Sequence, residues 1–345
     1  MKTDFSVEIK EIRPVRILQI TDMQPVDPGQ KRYAERIEVS EPLTEEDLYR
    51  RIYRYIGEGV KRTDPDLIIV TGDCVYGEFD DDGSMLRSFI RYMESLNVPW
   101  APVFGNHDNE SKKGVSWQCR ELENAENCLF SRGNVTGNCN YTIGITRNGE
   151  LLRVLYMMDS NGCGQAFRYG YKEDYPPYNE GEKVRTEQGF GDDQIDWVKQ
   201  SAAKIDEEAG RTVPKFFCFH IPMYEIVEAC YEKGYVQDKD NRNKEKFTLG
   251  REIPAKEGDF GTKGEIFAAF EKPGAWQTFT ACGMDGMFFG HCHVNTLSVN
   301  YKGVRITYGL KTGDFDYHDA IGSTEITLSP DGKNFTVKHL PTELK

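Results

Sequence analysis

The chain has 345 residues, of which 38% are hydrophobic and 29% are charged, a composition typical of a soluble globular protein. Its 43 basic and 56 acidic residues give a net charge of −13, which argues against non-specific binding to nucleic acid or to an anionic membrane. No long apolar run predicts a membrane span, and nine irregularly spaced cysteines are typical of a reduced, cytoplasmic chain, with a trimmed export signal as the alternative.

The first part of the chain predicts alternating strands and helices. Three apolar runs predict buried strands, namely residues 15–21, 66–71 and 98–104. A helix over residues 44–62, with Thr44 as its N-cap, joins the first two, and a helix over 85–96 joins the second and third. Each strand is followed by an acid or an amide, and ligand sites in α/β folds gather at such strand ends.

The remainder of the chain is less regular. A hairpin is predicted over residues 140–158, then a helix over 192–208 with Asp192 as its cap, buried strands at 215–219 and 286–289, and two terminal hairpins within 296–339. A helical segment is also predicted over 115–129. We expect one domain over residues 1–345, with loop inserts near 109–135, 159–190 and 230–262.

Four of the six histidines come directly after predicted buried strands: His107, His220, His291 and His293. Other strand ends supply oxygen donors: Asp22, Gln24, Asp73 and Asn106. A mixed nitrogen and oxygen set suits Mn, Fe, Zn or Mg, and seven or eight ligands suit two ions about 3.5–4 Å apart that share a carboxylate. The alternative, that each residue is a satisfied polar group of the core, is reasonable for one residue and poor for all of them.

Five motifs occur in a fixed order along the chain: Asp22-x-Gln24, Gly72-Asp73, Gly105-Asn106-His107-Asp108, a lone His220 after a strand, and Gly290-His291-Cys292-His293. This series resembles the calcineurin-like metallophosphoesterase family, and especially its purple-acid-phosphatase-like branch. The resemblance covers residues 22–293, most of the chain. It implies an α+β or α/β fold in which a two-sheet mixed β-sandwich is flanked by helices.

The resemblance also implies roles for individual residues. Asp73 would bridge two metal ions. The first metal position would be completed by Asp22, Gln24 and His293, and the second by Asn106, His220 and His291. A metal-bridging hydroxide would attack phosphorus in line, while His107, held by Asp108, would stabilise or protonate the leaving oxygen. The cofactors would be two divalent or trivalent ions, with Mn, Fe and Zn left open.

Several positions depart from the family pattern or extend it. Gln24 stands where most of the family has histidine, so the first position is expected to hold its ion more loosely. Tyr76 either packs as an aromatic after its strand or ligates ferric iron, and the first alternative is favoured. Asn109, Tyr224 and His318 are candidates for substrate binding, although a structural or exposed role suits His318 equally.

The sequence therefore predicts a metal-dependent phosphohydrolase, with phosphomonoesters as the favoured substrates. A phosphodiesterase or pyrophosphohydrolase acting on a nucleotide-type substrate is the nearest alternative, and a catalytically silent metal-binding scaffold is a third. We expect a small phosphorylated substrate as the partner, with no nucleic-acid groove and no membrane contact. The sequence leaves the oligomeric state open.

Overall fold

Two mixed β-sheets stack to form the centre of the molecule, with helices on the outer faces. The computed structural model describes residues 3–27, 44–111, 113–162, 189–233, 251–252, 258–263, 266, 268, 269 and 272–343. The predicted inserts near 159–190 and 230–262 lie largely outside these described residues. Among the described residues, no helix is long and apolar enough to cross a membrane. The expectation of a single domain over 1–345 stays a prediction.

The strands, in chain order, are β1 (Phe5–Glu8), β2 (Val15–Ile20), β3 (Leu67–Thr71), β4 (Trp100–Val103), β5 (Tyr141–Arg147), β6 (Glu150–Met157), β7 (Lys215–Cys218), β8 (Arg251–Glu252), β9 (Thr262–Lys263), β10 (Met284–Phe289), β11 (Ser298–Tyr301), β12 (Val304–Tyr308), β13 (Gly322–Leu328) and β14 (Phe335–Pro341). One sheet has five strands in the order β14-β13-β2-β3-β4, and the other has seven in the order β1-β5-β6-β7-β10-β12-β11. Strands β8 and β9 form a separate pair.

Each sheet contains a run of neighbouring parallel strands. In the five-stranded sheet β2, β3 and β4 are parallel, and in the seven-stranded sheet β6, β7, β10 and β12 are parallel. The carboxyl ends of parallel strands meet at one edge of each sheet. The residues that follow these strands are therefore brought together, which is where the sequence places its candidate ligands.

The helices are α1 (Glu45–Leu48), α2 (Arg54–Thr63), α3 (Ser84–Ser95), α4 (Val115–Glu123), α5 (Asp192–Ala209), α6 (Glu225–Glu232) and α7 (Ala275–Ala281). A π-helical turn, Tyr49–Tyr53, joins α1 to α2. Thr44 caps α1 as predicted, because its hydroxyl accepts the amide of Asp47 and its own amide donates to the Asp47 carboxylate.

Alternation of side chains along the central strands builds two hydrophobic layers. On β6, Leu155 and Met157 face the five-stranded sheet and belong to the core between the sheets. Their neighbours Val154 and Tyr156 face the opposite way, into a second layer under α5, α6 and α7. The seven-stranded sheet is thus buried on both faces, which explains why its central strands read as continuous apolar runs.

Most predicted elements are present, with a few corrections. The helix predicted over 115–129 ends at Glu123. Asp192 is the first helical residue of α5 and not its cap, which is Gly191. The Gly191 amide donates to the side-chain oxygen of Gln194. Strand β1 was not predicted, because its four residues gain strand structure only by pairing with β5.

Candidate metal centre

The candidate ligands follow five different strands and meet at the edge where the two sheets face each other. Asp22, Asp73 and Asn106 follow β2, β3 and β4 of the five-stranded sheet. His220 follows β7 and the pair His291 and His293 follows β10 of the seven-stranded sheet. All are buried or nearly so, which is costly for polar groups unless they are paired or bind an ion.

Asp22, Asp73 and His293 form the tightest group in the described part of the chain. One ligand atom from each lies within 4.8 Å of the others. His293 Nε2 is 3.3 Å from Asp22 Oδ1, and its Nδ1 lies 3.0 Å from the carbonyl oxygen of Tyr317. Donation from Nδ1 to a backbone oxygen fixes the ring and turns the Nε2 lone pair toward the carboxylates, as in metal-binding histidines.

His220 is held in the same way, through a backbone oxygen. Its Nδ1 lies 2.8 Å from the carbonyl oxygen of Thr71, so Nε2 faces the cluster. There Nε2 is 3.3 Å from Asp73 Oδ2 and 3.1 Å from Asn106 Oδ1. Three acceptors converge on one small volume, an arrangement that requires a proton or a metal ion to be stable.

The pKa values record this mutual dependence. Burial by itself raises the pKa of Asp73, but the nearby charges of His220 and His107 outweigh burial and hold it well below its usual range. Burial lowers the pKa of His220, but Asp73 and Asp22 outweigh it and raise the value to about 9. His291, by contrast, is held at a pKa of about 3 by burial and by the charge of His220. A neutral His291 is suited to ligation.

Glycines allow the loops of the two sheets to approach this closely. A Cβ at Gly105 would collide with the carboxylate and amide of Asp73, and one at Gly290 would collide with Thr21 and the Asp22 carboxylate. The amide of His291, the residue after Gly290, donates to both Asp22 oxygens at 3.2 and 3.1 Å. The motif glycines therefore let backbone amides and carboxylates meet without intervening side chains.

Backbone strain also concentrates at the centre. Asp22, Gln24, Asp73 and His291 all have positive φ angles, of 55°, 47°, 51° and 76°. Residues other than glycine rarely adopt this conformation, and such strain is found where side chains must be aimed at a site.

The partner of His107 differs from the prediction. Its Nδ1 lies 2.8 Å from Oε2 of the buried Glu110, one 3₁₀ turn further along the chain. The expectation that Asp108 holds this ring is wrong. The two Asp108 oxygens accept the backbone amides of Val75 and Gly105, so this carboxylate joins the loops after β3 and β4. Burial and the neighbouring Asp73 raise the Asp108 pKa.

Gln24 is in place, but its amide is turned away from the predicted orientation. Its Nε2 donates to Asp73 Oδ2 at 3.0 Å, and its Oε1 accepts from Lys311 Nζ at 2.9 Å. A lysine ammonium carries only donors, so the oxygen must face it. The sequence predicts that the Gln24 oxygen faces a metal ion. In the structure it faces the Lys311 ammonium instead, which is a correction of that prediction.

Lys311 was not identified from the sequence. It belongs to a segment after β12, residues 311–317, that wraps around the Asp22 loop. Lys311 Nζ also donates to the Asp22 carbonyl oxygen, at 2.6 Å, and the Tyr317 carbonyl oxygen orients His293. Arg51 anchors this segment through an ion pair of 2.6 Å with Asp314. One segment thus contacts three of the residues predicted for the first metal position, Asp22, Gln24 and His293.

The remaining candidates from the sequence are Tyr76, Tyr224, His318 and Asn109. The Tyr76 ring lies against His107, with centroids 4.1 Å apart, and against Phe79, which is the packed arrangement favoured from the sequence. Tyr224 lines a small cleft together with Phe190 and Met223. His318 is exposed, and its Nδ1 lies 3.2 Å from the Asp319 carbonyl oxygen in its own loop. Asn109 lies in the 3₁₀ turn Asp108–Glu110, but its side chain lies outside the described structure.

The donor set fits the metal ions that the motifs imply. Two oriented histidines present Nε2 atoms to two buried carboxylates, and an amide oxygen completes the second position. Imidazole and carboxylate ligands of this kind suit Zn, Mn and Fe.

Comparison with known proteins agrees with this geometry. The calcineurin-like phosphoesterase profile matches residues 15–295. Arabidopsis thaliana "Probable inactive purple acid phosphatase 29" is 26% identical over 324 residues, which cover 88% of this chain and 72% of the relative. "Probable inactive purple acid phosphatase 28" from the same plant is 24% identical over 280 residues, which cover 77% of this chain and 62% of the relative.

A solved dimetal phosphatase from Danio rerio has a similar structure. It superposes with a TM-score of 0.51 at 11% sequence identity, covering 94% of this chain and 95% of that chain. At this identity the likeness supports the fold, a two-sheet sandwich flanked by helices.

Proposed function

This chain belongs to the calcineurin-like phosphoesterase family, and from that premise we propose that it is a dinuclear metal-dependent hydrolase of small phosphomonoesters. The observation that carries the proposal is the convergence of ligand atoms from both sheets. One ligand atom each of Asp22, Asp73 and His293 lies within 4.8 Å of the others, and His220 Nε2 lies 3.3 Å from Asp73 Oδ2.

The ions would be held at two positions that share Asp73. Asp22 and His293 supply ligands for the first position; Asn106, His220 and His291 supply ligands for the second. Bound ions would supply Lewis acidity, which stabilises negative charge on a phosphoryl group and lowers the pKa of a water. The chain's own part is to hold the carboxylates and imidazoles in fixed orientations, through the backbone oxygens of Thr71 and Tyr317.

His107 is the proposed acid for the leaving oxygen. Burial lowers its pKa, but the charges of Glu110 and Asp73 outweigh burial and raise it to about 10. His107 is therefore protonated at neutral pH. Because Glu110 occupies Nδ1, the Nε2 proton is the one available to a departing alkoxide. Glu110 acts as a positioning residue, since it sets the charge and the orientation of the ring.

We propose a phosphomonoester as the favoured substrate; the acid would serve the alkoxide leaving group of a monoester or a diester alike. A phosphodiester or a nucleotide pyrophosphate is the alternative. The eight cysteines in the described part of the chain are free thiols, which supports the proposal that the protein works in the reducing cytoplasm.

A second candidate is a metal-binding scaffold without turnover. Two observations favour it: the names of the two Arabidopsis thaliana relatives, and the contact of Lys311 with the Gln24 oxygen in the first metal position. The paired His107 and Glu110 favour the hydrolase, because a scaffold gains nothing from a buried acid pair at this place.

The test is a metal-restoration assay. Chelated protein is supplied with Mn, Fe, Zn or Mg and offered p-nitrophenyl phosphate, bis-p-nitrophenyl phosphate and a nucleotide pyrophosphate. We expect no turnover without metal, restored turnover with it, and the highest rate on the monoester. His107→Asn should bind metal normally and lose at least tenfold in rate.

Full activity in the chelated protein would overturn the metal-dependent mechanism. Metal binding with no turnover of any substrate would identify the scaffold instead, and a higher rate on the diester or the pyrophosphate would reassign the substrate class.

A further inference from the structure

Lys311 is a buried lysine built into the first metal position. Only 1% of it is exposed, and its Nζ donates to the Asp22 carbonyl oxygen at 2.6 Å and to Gln24 Oε1 at 2.9 Å. The backbone on both sides is fixed, because the Thr312 amide donates to the Thr21 carbonyl oxygen and the Gly322 amide donates to the Lys311 carbonyl oxygen. The ammonium therefore stays beside Gln24.

This lysine opposes metal binding in two ways. It takes the Gln24 oxygen, which would otherwise be a neutral ligand, and so turns the Gln24 amide nitrogen toward Asp73 Oδ2 at 3.0 Å. It also places a positive charge next to a position whose predicted anionic ligands are Asp22 and Asp73, with the Asp316 carboxylate 3.8 Å from His293 Nδ1. Charges held within several ångströms of each other in a buried site interact strongly, because little water screens them.

In the second position, the described side-chain contacts of the His220 Nε2 atom are to Asp73, Asp22 and Asn106 rather than to a lysine. His220 is fixed by the Thr71 carbonyl oxygen and Asn106 presents Oδ1 to it, so these donors already face the cluster. The two positions share Asp73 but differ in the charge behind them.

We infer that Lys311 makes the two metal positions unequal, so that the second position fills first and the first fills only at a higher metal concentration. This inference rests on the proposed dinuclear centre. It assigns the inequality to one residue that touches the backbone of Asp22 and the side chain of Gln24, and it makes occupancy of the first position sensitive to metal supply.

The experiment is a titration of chelated protein with Mn²⁺ or Zn²⁺, followed by isothermal calorimetry, with turnover not used as a readout. Wild type should bind two ions in steps whose dissociation constants differ at least tenfold. His291→Ala should remove the tighter step and His293→Ala the weaker one, which assigns each step to a position.

Two variants separate the charge of Lys311 from its hydrogen bonds. Lys311→Gln keeps a donor without the charge, and Lys311→Met removes both. Each should tighten the weaker step at least tenfold and leave the tighter step unchanged, whereas Lys311→Arg should keep the gap.

Lys215→Met is the matched control. Lys215 is equally buried and paired with Asp206 at 2.7 Å, but it begins β7, at the opposite end of that strand from His220. Its loss should leave both steps unchanged.

Equal steps in wild type, or unchanged steps in folded Lys311→Gln and Lys311→Met, would overturn the inference and leave the proposed hydrolase standing. Binding of one ion to wild type and of two ions to either neutral variant supports it. If both variants fail to fold, equal steps in wild type still overturn the inference, and unequal steps that persist in Lys311→Arg support it. Absence of any metal binding in wild type would instead overturn the proposed function and the inference together.

Discussion

The two sheets contribute opposite kinds of ligand to the centre. The five-stranded sheet delivers oxygen donors, Asp22, Asp73 and Asn106, whereas the seven-stranded sheet delivers nitrogen donors, His220, His291 and His293. The two ligand sets depend on each other, since buried carboxylates repel one another and buried imidazoles resist protonation. The centre is therefore a property of the packed sandwich, and the reciprocal pKa shifts of Asp73 and His220 are its electrostatic signature.

The largest effect is expected when the shared carboxylate of the five-stranded sheet is neutralised. Asp73→Asn removes the charge that faces His220, Gln24 and the His107 amide. We expect loss of at least one bound ion and a fall in turnover of at least about a thousandfold, because the charge holds both positions. Metal analysis by mass spectrometry and a steady-state assay measure the two effects.

Asp285→Asn is the control for this variant. Asp285 lies on β10 and pairs with Arg153, away from the ligands, so metal content should be unchanged. An Asp73→Asn protein that keeps two ions would show that the five-stranded sheet does not anchor the centre.

Gly290→Ala tests the close approach of the two sheets without removing any ligand. The added methyl group collides with the Thr21 side chain and the Asp22 carboxylate, so the loops after β2 and β10 must separate. We expect metal affinity to fall about a hundredfold. In Gly303→Ala the methyl group meets open space in a turn, so only the backbone cost of about 1 kcal/mol applies. Equal metal affinities in the two variants would contradict the requirement for close approach.

Glu110→Gln separates the effect of the acid from that of the ligands of the two sheets, because it changes the partner of His107 and leaves every predicted metal ligand in place. The neutral amide removes the largest influence that raises the His107 pKa, so the ring should lose its proton at a lower pH. We expect a ten- to hundredfold fall in kcat and an alkaline limb of the pH–rate profile moved to lower pH, with metal content unchanged. Glu94→Gln, on α3, is the control; a profile that stays in place would rule out Glu110 as the positioning residue.

The smallest effect, on stability, is expected at His339, which joins the two sheets away from the candidate metal centre. His339 on β14 lies 2.8 Å from the Thr296 carbonyl oxygen, just before β11. Burial lowers its pKa to about 4, whereas an unfolded chain has a value of about 6.5. The unfolded state therefore binds the proton more readily, and stability falls as pH drops from about 6.5 to about 4.

Wild type should lose free energy of unfolding between pH 7 and pH 5, and we expect His339→Gln to reduce that loss by about 1–3 kcal/mol. Urea unfolding of metal-free protein at the two pH values measures it. His318→Gln, at an exposed position, should leave the dependence unchanged. Identical pH dependence in wild type and His339→Gln would show that this contact does not respond to pH.

Local sequence predicted the strands and the ligand types because both are written in short patterns. An apolar run followed by a glycine and an acid, as at Gly72 and Asp73, predicts a buried strand that ends at a site. Glu110 could have been found in the same way, because it lies three residues after His107 and meets it within one helical turn. The pairing of His107 with Asp108 was what the family resemblance implied.

The role of Lys311 could not be predicted from any short pattern. Its partners Asp22 and Gln24 lie 289 and 287 residues away along the chain, and it follows a hairpin strand like many other lysines. The orientation of Gln24 depends on that contact. The roles of Thr71 and Tyr317 are equally hidden, because their backbone carbonyl oxygens orient His220 and His293 regardless of side chain.

The sequence by itself determined which residues stand at the strand ends, because periodicity and turn residues encode local structure, and the resemblance of its motifs implied the family and the two-sheet architecture. The tertiary structure decided which atoms face one another: Glu110 on His107, Lys311 on Gln24, and backbone oxygens on the ligand histidines. These contacts form only after β2, β7, β10 and β12 have packed into the sandwich. Side-chain orientation in a buried site is fixed by such distant partners, since each buried donor and acceptor must be satisfied where the fold places it.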